Sequence, residues 1–307
     1  MELHRSSGRW RLGLFLATTT TFLWGILGVA LKITLQQVDP YTVTWFRFST
    51  AFLALLGYLT ITKQLPTPQQ FRQALPLLAI ASINLLINYI YFLLGIAETS
   101  PSNAQVIIQL APVFLGLGSL LIFKERYTPR QWLGLSTLTL GLVLFFHAQL
   151  RTLVTNVDNY IWGSLLVVIA AITWAAYALA QKQLLQQLSS YTIMMCIYGS
   201  SALLLTPFAN PSKLLEISNL HWSTLIFCAI NTLVAYGCFA EALDHWDASR
   251  ISAVLTLTPL VTLATVALVA NFLPNLFNTE PITLLSIVGA ILVAIGSGTI
   301  SLAKKSN

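Results

Sequence analysis

Between its charged residues the sequence runs in ten apolar segments: 12–31, 40–62 (interrupted by Arg47), 73–97, 99–123, 131–150, 159–181, 183–212, 217–240, 251–279 and 281–303. Each meets the length of about 20 residues that a helix needs to cross the hydrocarbon core of a bilayer. Transmembrane barrels use strands of about 10 residues with alternating polarity. These runs are continuously apolar, and within lipid only a helix then satisfies every backbone amide and carbonyl. Only 8% of the residues are charged and 56% are apolar, against about a quarter charged in soluble domains. The expected fold class is therefore an all-α integral membrane protein with ten transmembrane helices.

Arg5, Arg9 and Arg11 ahead of the first apolar run imitate a secretory signal. A signal core is only about 7–15 residues long and ends at a small-residue cleavage site, whereas this run continues to Lys32 with Trp24 near its far end, so a retained first helix is expected. Cys196, Cys228 and Cys238 all fall inside apolar segments, which suits neither a disulfide framework nor a metal site. With ten spans, alternate loops share a side. One side, with both termini, collects twelve Lys/Arg and the other collects Lys32, Arg151 and Lys213. The excess of basic residues predicts that both termini are cytoplasmic in an inner or plasma membrane. The net charge of +6 then reflects anchoring at anionic headgroups. No basic stripe or soluble domain is available for nucleic acid.

The second half of the chain repeats the first. At an offset of 150 Trp24 meets Trp174, Lys32 meets Lys182 and Thr42 meets Thr192; at 147 Asn84 meets Asn231, Tyr89 meets Tyr236, Ser102 meets Ser249 and Pro112 meets Pro259. At 155 Glu125 meets Glu280, Thr128 meets Thr283, Gly134 meets Gly289 and Gly141 meets Gly296. The change of offset places an eight-residue insertion around Asn271–Thr279. Five spans per half is an odd number, so the halves enter the membrane from opposite sides, as two inverted five-helix repeats at 11–150 and 159–303. Inverted repeats allow one midplane site to face each side in turn, which points to transport.

Trp24-Gly25, Trp45-Phe46-Arg47-Phe48, Ala111-Pro112 followed by Lys124-Glu125-Arg126, Gln131 and Gly134, and Leu257-Thr258-Pro259 with Glu280 and Gly289 form a pattern along the whole chain. It resembles the drug/metabolite transporter superfamily, specifically its ten-helix EamA-type members. The resemblance implies a secondary carrier working by alternating access, usually an exporter of amino acids, other metabolites or toxic compounds. The chain departs from the pattern between Pro259 and Glu280, where the spacing is 21 residues against 13 between Pro112 and Glu125.

Unpaired polar groups at bilayer depth are costly and therefore face a cavity or a partner helix. Asn84, Asn88 and Tyr91 share one face of span three, and Gln105, Gln109 and Pro112 one face of span four, by the 3.6-residue period. Ser252, Thr256 and Pro259 are the counterpart in span nine, and Trp174, Tyr177 and Gln181 lie on span six. Asn84, Asn88, Tyr91, Gln105, Gln109, Trp174, Tyr177 and Thr256 are the candidate substrate-binding residues; ordinary helix–helix bonding competes for each. Arg47 is the one full charge deep in a span, at an insertion cost of at least about 2.5–3.5 kcal/mol. It is a candidate for gating, for a structural role or for contact with a substrate carboxylate. Pro112 and Pro259 remove a backbone hydrogen bond each and are candidate hinges. Glu241 is a candidate proton-coupling carboxylate, against the alternative of an edge charge paired with Arg250 or solvated beside Asp244 and Asp247. Gly134, Gly141, Gly289 and Gly296 are expected to permit close helix packing.

The expected function is secondary active transport, as an exporter of small neutral, zwitterionic or amphipathic metabolites such as amino acids. An exchanger of phosphorylated sugars or nucleotide sugars would favour two or more cations at the site, and Arg47 is alone there. An intramembrane lipid-modifying enzyme would need paired acids, a histidine cluster or a nucleophile with its base, and the sequence offers none within the spans. No catalytic residue, metal or cofactor is expected. The expected partners are a small-molecule substrate and the lipid bilayer, with a homodimer as an open alternative to the monomer.

Overall fold

The structure is a computed structural model that describes residues 6–98, 104, 107–148, 150–151, 157–270, 272 and 283–302. Among the described residues it is helical throughout, with no strand. The helices are α1 (Trp10–Thr34), α2 (Pro40–Ile61), α3 (Pro68–Glu98), α4 (Leu110–Ile122), α5 (Pro129–Phe145), α6 (Val157–Leu184), α7 (Ser190–Leu205), α8 (Asn219–His245), α9 (Ala248–Leu255), α10 (Thr258–Ala270) and α11 (Leu284–Leu302). Eight stretches are long and apolar enough to span a bilayer, counting Ala248–Ala270 as one; α4 is a shorter apolar helix. The protein is thus a multi-pass membrane protein.

Polar residues at the starts of the helices set their boundaries. Asp39 caps α2 by accepting from Thr42 N at 3.0 Å, and Pro40 occupies the first helical position, where its missing N–H costs nothing. Ser189 caps α7 through Thr192 N in the same way. Thr128 and Gln131 make a reciprocal capping box on α5, and Thr283 accepts from Ser286 N ahead of α11. Asp39 and Ser189 are 150 positions apart, and Thr128 and Thr283 are 155 apart, so two of the three offsets of the repeat bring capping residues into register.

The most extensive helix pairings join the two halves of the chain: α1 with α8, α2 with α7, α3 with α6 and α5 with α11. The last is an approach through glycine. A Cβ at Gly296 would lie 2.5 Å from Leu138 N and 2.6 Å from Gly134 O, and one at Gly141 would lie 2.9 Å from Gly289 O. Only hydrogen fits, so the two backbones touch along this seam. The buried core is built from α1, α2, α3, α4, α6, α7, α8 and α9, while Phe15, Ile61, Leu121, Leu203 and Leu285 point outward. An apolar exterior of this extent matches lipid.

Span nine is broken. Thr256 and Leu257 interrupt the helix between α9 and α10, because Pro259 cannot donate to the Leu255 carbonyl four residues back. Thr258 Oγ1 takes that carbonyl instead, at 2.6 Å. In span four the chain is helical at 107 and 108, turns at Gln109 and resumes as α4, again three residues before a proline, Pro112. Gly25 of α1 lies against the break in span nine, where a Cβ would sit 3.2 Å from Thr258 O.

Candidate functional site

A continuous set of aromatic rings fills the middle of the bundle. Trp24 on α1 lies 5.7 Å from Trp174 on α6, 5.0 Å from Tyr236 and 5.6 Å from Phe239, both on α8. Trp174 in turn lies 5.3 Å from Phe239, and Tyr177 lies 6.2 Å from Tyr236. Tyr236 continues the set to Tyr89 on α3 at 6.0 Å, and Tyr89 meets Phe48 on α2 at 4.8 Å. Contacts of this geometry contribute about 0.5–1.5 kcal/mol each beyond area burial. Trp24 and Trp174 are equivalent positions of the repeat, as are Tyr89 and Tyr236. Both halves therefore supply the same ring types to one cluster.

Arg47 stands at the edge of these rings, 1% exposed. Its Nε donates to Thr232 Oγ1 at 2.8 Å and its Nη2 to Tyr89 Oη at 3.4 Å, while its guanidinium carbon lies 5.0 Å from the Tyr89 ring centre. Thr232 is itself fixed, because its hydroxyl donates to Cys228 O at 2.7 Å and so turns a lone pair toward the guanidinium. No carboxylate among the described residues pairs with Arg47.

Trp174 and Tyr177 belong to the ring cluster, and Tyr177 Oη donates to Met194 Sδ at 3.6 Å. Asn88 is buried, but its amide donates to Ala170 O at 2.9 Å and ties α3 to α6. Asn84 is half-buried and donates back to Ile80 O of its own helix at 2.8 Å. Tyr91 is half-buried two turns beyond Asn84. Gln109 is 7% exposed with Oε1 unpartnered, and Trp24 Nε1 and both amide atoms of Gln181 are likewise buried without a partner. Thr256 donates to Ala253 O at 2.6 Å and, with Pro112, Gly116 and Ser252, lines a crevice of about 20 Å³ between the two broken spans. That is room for roughly one water. Pro259 is buried at the break itself. Gln105, Ser102, Glu280 and all of the Asn271–Thr279 insertion except Phe272 lie outside the described residues.

Glu241 accepts a short hydrogen bond from Ser190 Oγ and lies 3.5 Å from His245 Nε2. Arg250 pairs with Asp247 instead, at 3.4 Å. Glu241, Asp244 and His245 bring ligand atoms within 4.8 Å of one another, but the imidazole is engaged on its other side by Ser7 Oγ, 2.8 Å from Nδ1.

A second polar centre was not expected as a unit. Glu125, in the link between α4 and α5, accepts from Lys182 Nζ at 2.6 Å, from Ala248 N and Ser249 N at 3.1 Å each, from Ser119 Oγ at 3.1 Å and from Ser249 Oγ at shorter range. The side chain of Lys182 is 2% exposed and that of Glu125 11%. Burial opposes ionisation of Glu125, but Lys182 and the Ser249 hydroxyl and amide outweigh it and hold the carboxyl below its usual range. Next to it, burial and the Glu125 charge push Tyr127 up to about 12, so its hydroxyl stays a donor, reaching Ser249 O at 3.4 Å. The cluster fastens the α4–α5 link to the end of α6 and the start of α9. The sequence carried a signal for it: Glu125, Lys182 and Ser249 are each half of a repeat pair, with Glu280, Lys32 and Ser102.

A family model described as EamA-like transporter family matches residues 11–147 and 161–302. The chain is 38% identical over 288 residues to the uncharacterized inner membrane transporter YhbE of Escherichia coli strain K12, covering 93% of this chain and 90% of that one. It is 35% identical over 286 residues to an uncharacterized transporter of Haemophilus influenzae, covering 93% of each. A probable amino-acid metabolite efflux pump of Salmonella typhimurium is 22% identical over 299 residues, covering 92% of each. A solved crystal structure superposes with a TM-score of 0.73 at 16% identity, covering 97% of this chain and 99% of that one, a likeness of fold. With two family matches that together take in nearly all of its length, the chain belongs to the EamA-like transporter family.

Proposed function

We propose that this protein is a secondary active carrier that exports small amino-acid-like or other zwitterionic or amphipathic metabolites by alternating access, from an inner membrane with both termini cytoplasmic. The observation that carries the reading is the central ring cluster around Arg47. It is assembled from equivalent positions of both halves and flanked by two spans that break near their middles.

An inverted repeat accounts for the helix pairings. Exchanging the halves turns the α1–α8 pair into the α6–α3 pair and maps α2–α7 and α5–α11 onto themselves. A bundle related to itself in this way has a second conformation of similar energy in which the roles of the halves are swapped. On this reading the contacts of Glu125 with Lys182, Ala248 and Ser249 hold the cytoplasmic end shut. Trp24 Nε1, Gln109 Oε1 and the two amide atoms of Gln181, buried without partners, are the groups that meet a polar solute when the bundle opens. The name of the Salmonella relative, an amino-acid metabolite efflux pump, supports the substrate class.

The test is counterflow uptake into liposomes containing the purified protein, with a pooled panel of labelled amino acids, nucleosides and hydrophobic cations. Accumulation of the amino-acid class above protein-free liposomes, reduced in Trp174→Ala protein that still folds, is expected. No accumulation of any class by folded protein would refute the reading.

A further inference from the structure

We infer that Arg47 is the subsite for a substrate carboxylate, and that the substrate pairs one carboxylate with an apolar or aromatic body lying along the adjoining rings. The inference rests on the carrier reading and gives it a substrate class.

Among the described residues two cationic Lys or Arg side chains are buried, Lys182 and Arg47. Lys182 is compensated by Glu125 at the end of the bundle. Arg47 lies within a span and has hydroxyl partners only, Thr232 and Tyr89. Neutral hydroxyls hold a guanidinium in place without cancelling its charge, and a planar guanidinium is shaped to receive a carboxylate through two parallel bonds. A phosphate would bring more negative charge than this one cation offsets. A carboxylate brings one unit.

The rings next to Arg47 supply the other half of the recognition. Tyr89 touches both the guanidinium and Tyr236, and Tyr236 leads to Trp24, so cation and aromatic wall form one continuous surface. Trp24 Nε1 is buried without a partner and offers a donor along that wall. A ligand that seats a carboxylate on Arg47 therefore lays its remaining bulk against Tyr89, Tyr236 and Trp24, where aromatic and aliphatic bodies bind by area. A purely cationic compound meets an uncompensated guanidinium and is repelled.

The experiment measures binding to the purified full chain through quenching of its tryptophan fluorescence, and counterflow in liposomes, for L-phenylalanine, phenylalanine amide, phenethylamine and phenyl phosphate. The acid is expected to bind at least about tenfold more tightly than the amide, the scale of a charge-assisted hydrogen bond, and the amine and the phosphate are expected to bind more weakly than the acid. Arg47→Gln is expected to erase the preference for the acid and Arg47→Lys to keep part of it. The comparison of acid with amide in the wild-type protein needs no variant, so a misfolded Arg47→Gln protein leaves the test intact. Equal binding of acid and amide, or transport of the amine or phosphate in preference to the acid, overturns the carboxylate subsite while the carrier reading stands. If the wild type carries none of the four but accumulates another class, the carboxylate subsite alone falls when that class lacks a carboxylate and stands when it has one. If nothing is carried at all, both fall.

Discussion

Glu125 accepts from a buried ammonium, two backbone amides and two hydroxyls, and its removal has a direct consequence. Glu125→Gln leaves Lys182 charged and buried without its partner, which costs about 3–5 kcal/mol. The melting temperature in detergent should fall accordingly, and adding Lys182→Met should recover much of the loss; additive losses in the double variant would contradict the pairing. The pH dependence follows from the lowered carboxyl. A group whose folded pKa lies below its unfolded value contributes stability that is fully present above the unfolded value and is lost as pH falls through the folded one. The cluster should thus hold from neutral pH down to about 4.5, the ordinary value for Glu, and weaken only below it. A melting temperature in Glu125→Gln protein that converges on wild type already at pH 6 would contradict this. Asn88 shows the limit of reading residues by periodicity. The period put it on one face with Asn84 and Tyr91, toward a cavity or a partner helix, but the partner that takes its amide, Ala170 O, lies on a helix 82 positions away. Asn88→Ala should therefore cost about 0.6–2 kcal/mol of stability, visible as a lower melting temperature, and reduce transport less than Trp174→Ala does.

At the scale of elements, the starts of helices are set locally: Asp39-Pro40 and the Thr128–Gln131 box carry their instructions within four residues, whereas bounds taken from the charged residues alone began α7 seven residues early, at 183 against Ser190. The glycines of α5 and α11 were legible, since a small residue that recurs seven positions on, Gly134 with Gly141 and Gly289 with Gly296, can do little in lipid except admit another backbone. Gly296→Val should separate that seam and destabilise the protein by about 1–3 kcal/mol, measured as the same loss of thermal stability in detergent; an unchanged melting temperature would contradict the contact. The break in span nine was half legible. Pro259 marked a kink, but the interruption falls at Thr256 and Leu257, so Thr256 ends α9 as its C-cap and is not part of one continuous helix with Pro259. Pro259→Ala restores a donor and favours a continuous helix by about 3 kcal/mol. The protein should then melt higher and turn over more slowly. Faster or equal turnover would remove Pro259 as a hinge.

At the scale of the whole molecule, the apolar runs fixed a membrane bundle and the paired residues fixed which positions are equivalent. Which equivalent residues meet was hidden, because Glu125, Lys182 and Ser249 come from three distant segments and only tertiary packing joins them. In the proposed transport cycle the two halves exchange roles, so that the end held by Glu125 opens in turn. Spin labels at the exposed positions Arg126 and Gln186, introduced as Arg126→Cys and Gln186→Cys after replacing Cys196, Cys228 and Cys238 with alanine, flank that closure. The direct measurement is the distribution of label–label distances in liposomes by pulsed electron–electron resonance. Two populations are expected in the parent protein, with a shift to the longer one with Glu125→Gln; a single short distance, unchanged by Glu125→Gln, would rule the exchange out.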